Sequence, residues 1–442
     1  MPTPLYDALR SYAGKDPLRF HMPGHKGKPL PVPELAGLAA IDLTELAPTG
    51  NLYEAGEPFD QAQRLWADLF GFENCQFLTG GSTMGIHTGL ALCARPGERV
   101  LVDRGCHRAV FNALALLDLE PLWLERPWLR EESLPGPISP GDVEKMLEEQ
   151  PDIKTVCITS PTYAGVLSNV GAISRIVHAH GGKLFVDGAH GAHLPFLGLA
   201  PFWGADVVTV SAHKTLPAMG QSALLFFDGF ELGRVRQMAS VFGTSSPSYP
   251  ILASMDLARQ WMEEVGAWEY QRAALRVAGL RQKFPSFCPK PGLSLDPCRF
   301  VLKVKDGPGF TKRLEERGIF AEMEDGGHVV FICTAQDSDR DFDCLEKVLE
   351  ELRDMMGDCP PIPAPPIPER VLSPRQALFA PVREWPRPLE DCEGEIATCQ
   401  IAPYPPGVPV VAPGERISKK ELAYLQKIGY NMLSEVRTVL SG

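Results

Sequence analysis

Apolar runs and amphipathic stretches alternate along the middle of the chain. Short runs with apolar centres, such as Arg99–Asp103 and Lys183–Asp187, predict β-strands that are buried on both faces. Stretches between such runs, for example Gln61–Phe70, repeat apolar residues at helical spacing and predict helices. This alternation predicts an α/β domain in which helices cover both faces of a mostly parallel sheet.

The pattern changes toward both ends, and the sequence divides into five predicted segments. Shorter strands and helices after the large domain are typical of a small α+β domain. A proline-rich stretch follows it, and consecutive prolines favour a stiff, extended linker. The predicted segments are an N-terminal arm (1–60), a large domain (61–270), a small α+β domain (271–358), the linker (359–370) and a C-terminal domain (371–442), in which 419–436 is predicted to be one helix.

Composition and charge argue against several classes of protein. Of the 442 residues, 44% are hydrophobic and 22% are charged, as in ordinary globular enzymes. The net charge of −12 argues against nucleic acid or an anionic membrane as a partner. The eleven cysteines show no Cys-x-x-Cys pair and no zinc-ligand spacing, and the N-terminal residues lack targeting features. We therefore expect a cytoplasmic protein with reduced thiols, no bound metal and no membrane span.

Lys214 is the residue that most narrows the chemistry. It follows Ser211 and His213, directly after the strand-like run Asp206–Val210. An amine placed there lies at the carboxyl end of a strand, where α/β sheets bind their ligands. Hydroxyl and imidazole donors beside the amine suit a phosphate, so the pattern favours a lysine that binds the aldehyde of pyridoxal phosphate (PLP) covalently. The motif by itself also allows a solvated surface lysine.

A second segment, TGGSTMG (79–85), suits the phosphate group of PLP. It lies between a predicted strand and a predicted helix. Backbone N–H groups at a helix N-terminus favour an anion, and Ser82 and Thr83 add hydroxyl donors. Gly81 permits a close approach of the backbone. An ordinary helix cap is the alternative interpretation of the same residues.

Two further residues suit the pyridine ring of PLP. Asp187 ends a predicted strand and offers a carboxylate to keep the ring nitrogen protonated, and the small Gly188 and Ala189 after it leave room for a flat ring. His107 opens a predicted helix and is the candidate to stack on the ring. A capping aspartate and a helix-start histidine are the alternatives.

These segments together resemble the bacterial-type PLP-dependent ornithine/lysine/arginine decarboxylases, which share the aspartate-aminotransferase fold (fold type I). The matching segments follow the family's order from residue 20 to about residue 415. HMPGHK and SxHKTLxAxxQ are specific to the family, and the others are shared more widely. The segments are FHMPGHKGK (20–28), DLTEL (42–46), GGSTMG (80–85), DRGCHR (103–108), SPTYAGV (160–166), DGAHGAH (187–193), SAHKTLPAMGQSA (211–223), GTSSPSYP (243–250) and YPPGVPVVAPGE (404–415).

The resemblance implies a large domain with a mostly parallel seven-stranded sheet, and it assigns roles to individual residues. It implies that Lys214, His213 and Asp187 are catalytic. It implies a homodimer with shared active sites, or a higher oligomer, because Thr244 and Ser245 would reach the cofactor of the neighbouring subunit. The cofactor-binding residues that it implies are Gly81, Ser82, Thr83, His107, Asp187, His190, Ser211, His213, Lys214, Thr244 and Ser245.

The implied reaction is decarboxylation of a basic amino acid, with arginine favoured over lysine or ornithine. The products would be CO2 and a di- or polyamine such as agmatine or cadaverine. The N-terminal arm would carry a substrate-entrance loop. Another fold type I reaction, such as transamination or elimination, and a non-catalytic PLP-binding homologue are the alternatives.

One departure from the family pattern concerns the substrate side chain. Cys399 stands where many relatives have a glutamate near the cationic end of the substrate. A thiol does not pair with a guanidinium or ammonium group as a carboxylate does. Glu45 and Glu322, together with Asp325, are the candidates to supply that carboxylate instead.

Overall fold

A computed structural model of the chain describes residues 1–382, 385–403 and 408–439. Of the segment 404–415, which carries part of the family resemblance, the first four residues therefore lie outside the described ranges. The strands are β1 (Asn74–Leu78), β2 (Arg99–Asp103), β3 (Glu120–Leu124), β4 (Trp128–Leu129), β5 (Leu134–Pro135), β6 (Thr155–Thr159), β7 (Val166–Leu167), β8 (Lys183–Asp187), β9 (Val207–Ser211), β10 (Ala223–Phe227), β11 (Ser294–Leu295), β12 (Arg299–Lys303), β13 (Met323–Glu324), β14 (His328–Ile332), β15 (Arg387–Pro388) and β16 (Glu435–Val436).

Helices separate most of the longer strands. None of the helices in the part of the chain that the structure describes combines the length and the apolar character needed to cross a membrane. The α-helices are α1 (Pro4–Ala13), α2 (Phe59–Phe70), α3 (Gly81–Cys93), α4 (Arg108–Leu117), α5 (Pro140–Glu149), α6 (Val170–Ala179), α7 (Ala212–Thr215), α8 (Leu232–Phe242), α9 (Tyr249–Trp261), α10 (Ala267–Lys283), α11 (Gly307–Glu315), α12 (Asp339–Glu351), α13 (Pro374–Leu378) and α14 (Lys419–Lys427).

The central sheet has seven strands in the order β1-β10-β9-β8-β6-β2-β3. Strand β10 is antiparallel to both of its neighbours, whereas β9 is parallel to β8, and β2 is parallel to both β6 and β3. The prediction of an α/β fold with a mostly parallel seven-stranded sheet is therefore confirmed. The predicted strands 99–103 and 183–187 coincide with β2 and β8.

Strand β3 was not predicted from the sequence, because Pro121 interrupts its apolar pattern. It lies at an edge of the sheet. Proline has no N–H to donate to a neighbouring strand. A central strand pairs on both sides, whereas an edge strand pairs on one side and tolerates this loss. The position of β3 in the sheet thus explains a residue that argues against a strand when the sequence is considered alone.

The chain divides into two compact units, and each is described by itself. The first unit contains Met1–Cys93 and Leu184–Gln271, and the second contains Ala94–Lys183 and Arg272–Gly442. The five predicted segments and their boundaries stay a prediction.

In the first unit, helix α3 packs very closely against the sheet. A Cβ atom at Gly85 would lie 2.0 Å from Oγ1 of Thr209, and one at Gly89 would lie 2.5 Å from the ring of Phe185. Both distances are far below van der Waals contact, so glycine is required at these two positions. The close approach places the N-terminus of α3 beside the end of β9.

The second unit contains a three-stranded antiparallel sheet with the order β12-β14-β13. It also contains a buried ion pair in which Nη2 of Arg104 lies 3.0 Å from Oε2 of Glu415. The guanidinium of Arg104 stacks over the rings of Phe111 and Trp123, with 5.3 Å and 5.2 Å from its central carbon to the ring centres. Arg104 therefore ties the C-terminal segment to the end of β2.

The predicted helix over 419–436 was too long. Helix α14 ends at Lys427, and Gly429 adopts a left-handed backbone with φ of 76°. A left-handed glycine after the last turn ends a helix, because it turns the chain away while its neighbours satisfy the last carbonyl groups. The residues Glu435 and Val436, which the prediction placed in the helix, form strand β16.

A buried carboxylate in the first unit caps the N-terminal helix. Oδ2 of Asp256 accepts hydrogen bonds from the backbone N–H groups of Leu5 (2.9 Å) and Tyr6 (3.1 Å) in α1. Burial is the largest influence on this group, and it raises the pKa of Asp256 from 3.8 to about 6. The folded chain therefore binds this proton more tightly than the unfolded chain does.

The variant Asp256→Asn should lose part of the pH dependence of stability. For a raised carboxyl pKa, stabilisation is complete below pH 3.8 and is lost as the pH rises through about 6. The shift corresponds to about 3 kcal/mol in the free energy of unfolding. Urea unfolding at several pH values between 4 and 7 measures it. We expect the wild type to lose stability relative to Asp256→Asn as the pH rises, and parallel curves would contradict the account.

Candidate active site

Lys214 lies on the short helix α7, directly after strand β9, and is half-buried. Its Nζ atom lies 3.0 Å from Nε2 of His190, which is buried. The hydroxyl of the buried Tyr270 donates a hydrogen bond to the carbonyl of Thr215 at the end of α7. The turn that carries the lysine is therefore fixed from α10, and the amine has a polar neighbour.

His213 is oriented by the same turn. Its Nδ1 atom lies 2.8 Å from the carbonyl oxygen of Ser222. A carbonyl oxygen only accepts hydrogen bonds, so Nδ1 must carry the hydrogen. In the neutral ring, Nε2 is then the nitrogen that can accept a proton.

A pair of buried hydroxyl groups lies at the N-terminus of α3. Oγ of Ser82 and Oγ of Ser211 are 2.6 Å apart, and both residues are buried. Gly81, the first residue of α3, has a left-handed backbone with φ of 66°, and its N–H donates to the carbonyl of Gln221 at 2.8 Å. Thr83 is exposed. Hydroxyl groups at a helix N-terminus form an environment that suits an anion.

Asp187 ends strand β8 and is buried. Because β8 and β9 are parallel and Asp187 pairs with Thr209 in register, its carboxylate lies at the same edge of the sheet as Ser211. Its Oδ1 accepts a hydrogen bond from the N–H of Ala189 at 3.2 Å. The structure thus places Asp187, Lys214, His190 and the serine pair in one unit and at the carboxyl ends of neighbouring strands.

Gly188 packs closely against its neighbours. A Cβ atom there would lie 2.6 Å from the ring of Phe202 and 3.2 Å from the carbonyl oxygen of Thr209. The glycine is therefore needed for the packing of Phe202. That Gly188 and Ala189 leave room for a flat ring stays a prediction.

His107 belongs to the second unit, at the start of α4. Its Nδ1 accepts a hydrogen bond from the N–H of Ala109 at 3.2 Å, so the side chain caps the helix. This contact agrees with the helix-start alternative. Stacking on the cofactor ring stays a prediction for this residue.

The loop that carries His107 is held by a buried ion pair. Nη2 of Arg126 lies 2.6 Å from Oδ2 of Asp103, and both side chains are almost fully buried. The carboxylate of Asp103 also accepts from the N–H groups of Gly105 (2.8 Å) and Thr159 (3.1 Å). The pair therefore joins the ends of strands β2, β3 and β6 to the loop before α4.

Replacing Arg126 with methionine should destabilise the protein by about 3–5 kcal/mol, because it leaves the buried carboxylate of Asp103 unpaired. Chemical denaturation measures this change in the free energy of unfolding. Arg130→Met is the matched control, since Arg130 is exposed. A loss below about 1 kcal/mol, as for an exposed ion pair, would contradict the assignment.

Thr244 and Ser245 lie in the segment between α8 and α9, and both are exposed. Oγ1 of Thr244 accepts a hydrogen bond from the N–H of Ser246 at 3.1 Å. Their predicted role toward the cofactor of a neighbouring subunit stays a prediction.

The four residues considered for the substrate side chain have different surroundings. Asp325, in the second unit, accepts hydrogen bonds from the N–H groups of Gly327 and His328, both at 2.8 Å. Glu322, in the second unit, is exposed and accepts a hydrogen bond from the hydroxyl of Tyr163. Cys399, in the same unit, is half-buried, and its Sγ lies 3.8 Å from the carbonyl oxygen of Arg437. Glu45, in the first unit, accepts a hydrogen bond from Oγ1 of Thr44 at 2.6 Å.

Several residues with clear positions near these groups were not predicted. Tyr270 and Arg126 act through contacts with residues that are distant in sequence, and no local motif marks either of them. Tyr53, whose buried hydroxyl has no hydrogen-bond partner among the described residues, was also missed, although it follows the DLTEL segment. A tyrosine in an otherwise polar, irregular stretch is the feature that marks it.

Comparison with known proteins matches this chain to the two domains of one family. The family described as Orn/Lys/Arg decarboxylase, major domain, matches residues 3–308, and the one described as Orn/Lys/Arg decarboxylase, C-terminal domain, matches residues 364–432. The uncharacterized protein YaaO of Bacillus subtilis is 31% identical over 97% of this chain and 94% of its own length. The arginine decarboxylase of the same bacterium is 29% identical over 96% of this chain and 93% of its own.

The fold is also found among solved structures. The lysine decarboxylase LdcF of Francisella novicida superimposes with a TM-score of 0.81 and 20% sequence identity. The match covers 99% of this chain and 81% of that one. At this identity the likeness shows the shared fold, and it confirms the fold type I architecture.

Proposed function

Because the chain belongs to the Orn/Lys/Arg decarboxylase family of PLP-dependent carboxy-lyases, we propose that it decarboxylates L-arginine in preference to L-lysine and L-ornithine. The similarity to an arginine decarboxylase favours arginine within the class of basic amino acids. The products are then CO2 and agmatine. Cadaverine is the corresponding product from lysine.

The observation that carries the proposal is the arrangement around Lys214. Its amine lies beside His190, and the Ser82–Ser211 hydroxyl pair lies at the end of the strand that precedes it. A buried carboxylate, Asp187, ends the neighbouring strand. An amine for an aldehyde, hydroxyl groups for a phosphate and a carboxylate for a protonated ring nitrogen are the donor set that PLP requires, so these residues fit the cofactor.

When bound, PLP supplies the electron sink that makes loss of the α-carboxylate of an amino acid feasible. Lys214 would hold the cofactor through Nζ, and Ser82 and Ser211 would hold its phosphate. Asp187 would keep a proton on the ring nitrogen, because a buried carboxylate strongly favours a neighbouring positive charge.

Proton return to the substrate Cα is assigned to His213 or Lys214. Nδ1 of His213 is engaged by the carbonyl of Ser222, so Nε2 is the ring nitrogen that exchanges a proton. Nζ of Lys214 is the alternative donor, and its contact with Nε2 of His190 gives it a neighbour for proton exchange. Replacing His213 with glutamine distinguishes the two donors. We expect kcat to fall strongly if His213 returns the proton and to change little if Lys214 does.

A homodimer with shared active sites is part of the same proposal. It rests on the family resemblance and on the exposure of Thr244 and Ser245, which leaves both hydroxyl groups accessible to a second copy. Sedimentation of the PLP-loaded protein tests this assembly. A monomer that turns over at full rate would contradict it.

A substrate panel tests the reaction. The purified protein, loaded with PLP, is offered L-arginine, L-lysine and L-ornithine, with L-norleucine as a neutral control. We expect CO2 and the matching amine in equal amounts, fastest from arginine. Formation of a keto acid without CO2 would support an aminotransferase instead. Failure to take up PLP would support the non-catalytic alternative.

A further inference from the structure

Among the described residues of the first unit, six buried side-chain oxygen atoms lack a hydrogen-bond partner, and two of them lie in the N-terminal arm. These two are Oε1 of Glu45 and the hydroxyl oxygen of Tyr53. The other carboxylate oxygen of Glu45 accepts a hydrogen bond from the hydroxyl of Thr44, which holds the side chain in place. Oε1 can likewise only accept a hydrogen bond. Leaving a buried carboxylate oxygen without a donor is costly, so a donor from a bound molecule would stabilise it.

The charge of Glu45 also acts on Tyr53. Burial, and after it the charge of Glu45, raises the pKa of Tyr53 to about 12. The same two causes raise the pKa of Tyr249, whose hydroxyl donates to the carbonyl of Gly50 at 2.6 Å. Both phenols therefore stay protonated at neutral pH.

The position of Tyr53 connects this pair to the cofactor-binding residues. A Cβ atom at Gly243 would lie 2.3 Å from the hydroxyl oxygen of Tyr53 and 2.7 Å from Cε of Met84. Met84 lies on the first turn of α3, two positions after Ser82. Gly243 directly precedes the exposed Thr244. The hydroxyl of Tyr53 therefore lies near the side chain of Met84, in the first turn of the helix that begins at the serine hydroxyls.

We propose that Glu45 and Tyr53 bind the distal cation of the substrate and so determine its specificity. This inference rests on the proposed decarboxylation of a basic amino acid. A guanidinium offers several N–H donors in one plane, so one edge can donate to Oε1 of Glu45 while another N–H donates to the hydroxyl of Tyr53. An ammonium group donates three hydrogen bonds and fits the same pair with less geometric specificity.

The other three candidates suit this task less well. Asp325 already accepts hydrogen bonds from two backbone N–H groups and lies 3.0 Å from Nδ1 of His328. Cys399 offers a thiol, which carries no compensating charge in its neutral form. Glu322 is exposed and already bonded to Tyr163, so an ion pair there is screened by water. Glu45 combines a carboxylate, a buried unpartnered oxygen and an adjoining hydroxyl.

The test compares each basic substrate with a neutral analogue of the same shape. Steady-state kinetics with arginine and citrulline, or with lysine and norleucine, are measured for the wild type, Glu45→Gln and Tyr53→Phe. We expect Glu45→Gln to raise KM for arginine about 100-fold and Tyr53→Phe to raise it about 10-fold, because each loses a hydrogen bond to a charged group. In both variants kcat should change by less than about 3-fold, and preference for arginine over citrulline should fall by the same factors as KM rises.

Controls separate this inference from the proposed function. Glu54→Gln, at an exposed acid of the same arm, should keep wild-type kinetics. All variants should keep the visible absorbance of bound PLP. If the wild type decarboxylates arginine and both variants keep its preference over citrulline, the inference is overturned while the proposed function stands. A wild type that decarboxylates no basic amino acid overturns the proposed function itself.

The same variants also test whether a group other than the substrate binds at Glu45 and Tyr53. If Glu45→Gln dissociates the assembly on sedimentation at unchanged KM, then a basic side chain of a second copy occupies the site. That outcome would overturn the assignment to substrate. Binding of agmatine, measured by calorimetry on the PLP-loaded protein, gives a readout apart from turnover, and we expect Glu45→Gln to weaken it by a factor similar to that in KM.

Discussion

Replacing Lys214 with alanine should remove the visible absorbance of bound PLP and lower decarboxylation by about 10⁴-fold or more. Nζ of Lys214 is the amine at the carboxyl end of β9, half-buried and 3.0 Å from Nε2 of His190. Without it, the protein has no group there to bind an aldehyde covalently. Absorbance spectra after dialysis and single-turnover CO2 release measure the two effects.

The control for this variant is Lys145→Ala. Lys145 lies on α5 with 72% of its side chain exposed, so its loss should change neither signal. Circular dichroism establishes that Lys214→Ala folds. A small primary amine, added to the variant, should restore part of the turnover, because it replaces the missing nucleophile. Turnover near the wild-type level without added amine would contradict the role of Lys214.

Replacing Asp187 with asparagine should lower kcat/KM by about 10²–10³-fold. The substitution preserves the shape of a buried side chain at the end of β8 but removes its negative charge. A neutral amide does not hold a proton on a ring nitrogen, so the electron sink is weakened. Protein that is saturated with PLP should be used, because weaker cofactor binding is an additional expected effect.

Asp118→Asn provides the comparison for the Asp187 variant. Asp118 is exposed and has a left-handed backbone, which asparagine also tolerates, so that change should be neutral. Asp187→Glu keeps the charge and should retain more activity than Asp187→Asn does. Equal losses in the asparagine and glutamate variants would indicate a packing role for Asp187 rather than an electrostatic one.

The sheet and the main site residues can be predicted because local pattern determines them. Strands β8 and β9 are apolar runs that end in Asp187 and Ser211, and their carboxyl ends must lie at one edge of a parallel sheet. Lys214 follows from the same rule, since it comes directly after β9. Sequence pattern therefore predicts which residues gather at this edge.

Contacts between distant residues cannot be predicted in the same way. The pairing of Arg126 with Asp103 depends on the neighbouring positions of β2 and β3, and β3 itself was missed because of its proline. The requirement for glycine at position 188 comes from Phe202, which no local pattern connects to it. The predicted C-terminal helix was too long because helical periodicity continues past Gly429, where the backbone turns left-handed.

The site for the substrate side chain shows the same limit. Glu45 is one of several acids that the sequence offers, and charge alone does not rank them. Its buried, unpartnered oxygen and the adjoining hydroxyl of Tyr53 become visible only when the N-terminal arm is folded. Three-dimensional surroundings thus reduce a set of candidates to one testable pair.

The most direct test of the account is to locate the lysine that binds the cofactor. Sodium borohydride reduction of the PLP-loaded protein fixes the cofactor to its lysine, and tryptic peptides are then analysed by mass spectrometry. We predict that the pyridoxyl group is found on the peptide containing Lys214 and that it is absent from the Lys214→Ala variant. A pyridoxyl group on a different lysine of the wild type, or on none, would contradict the central claim.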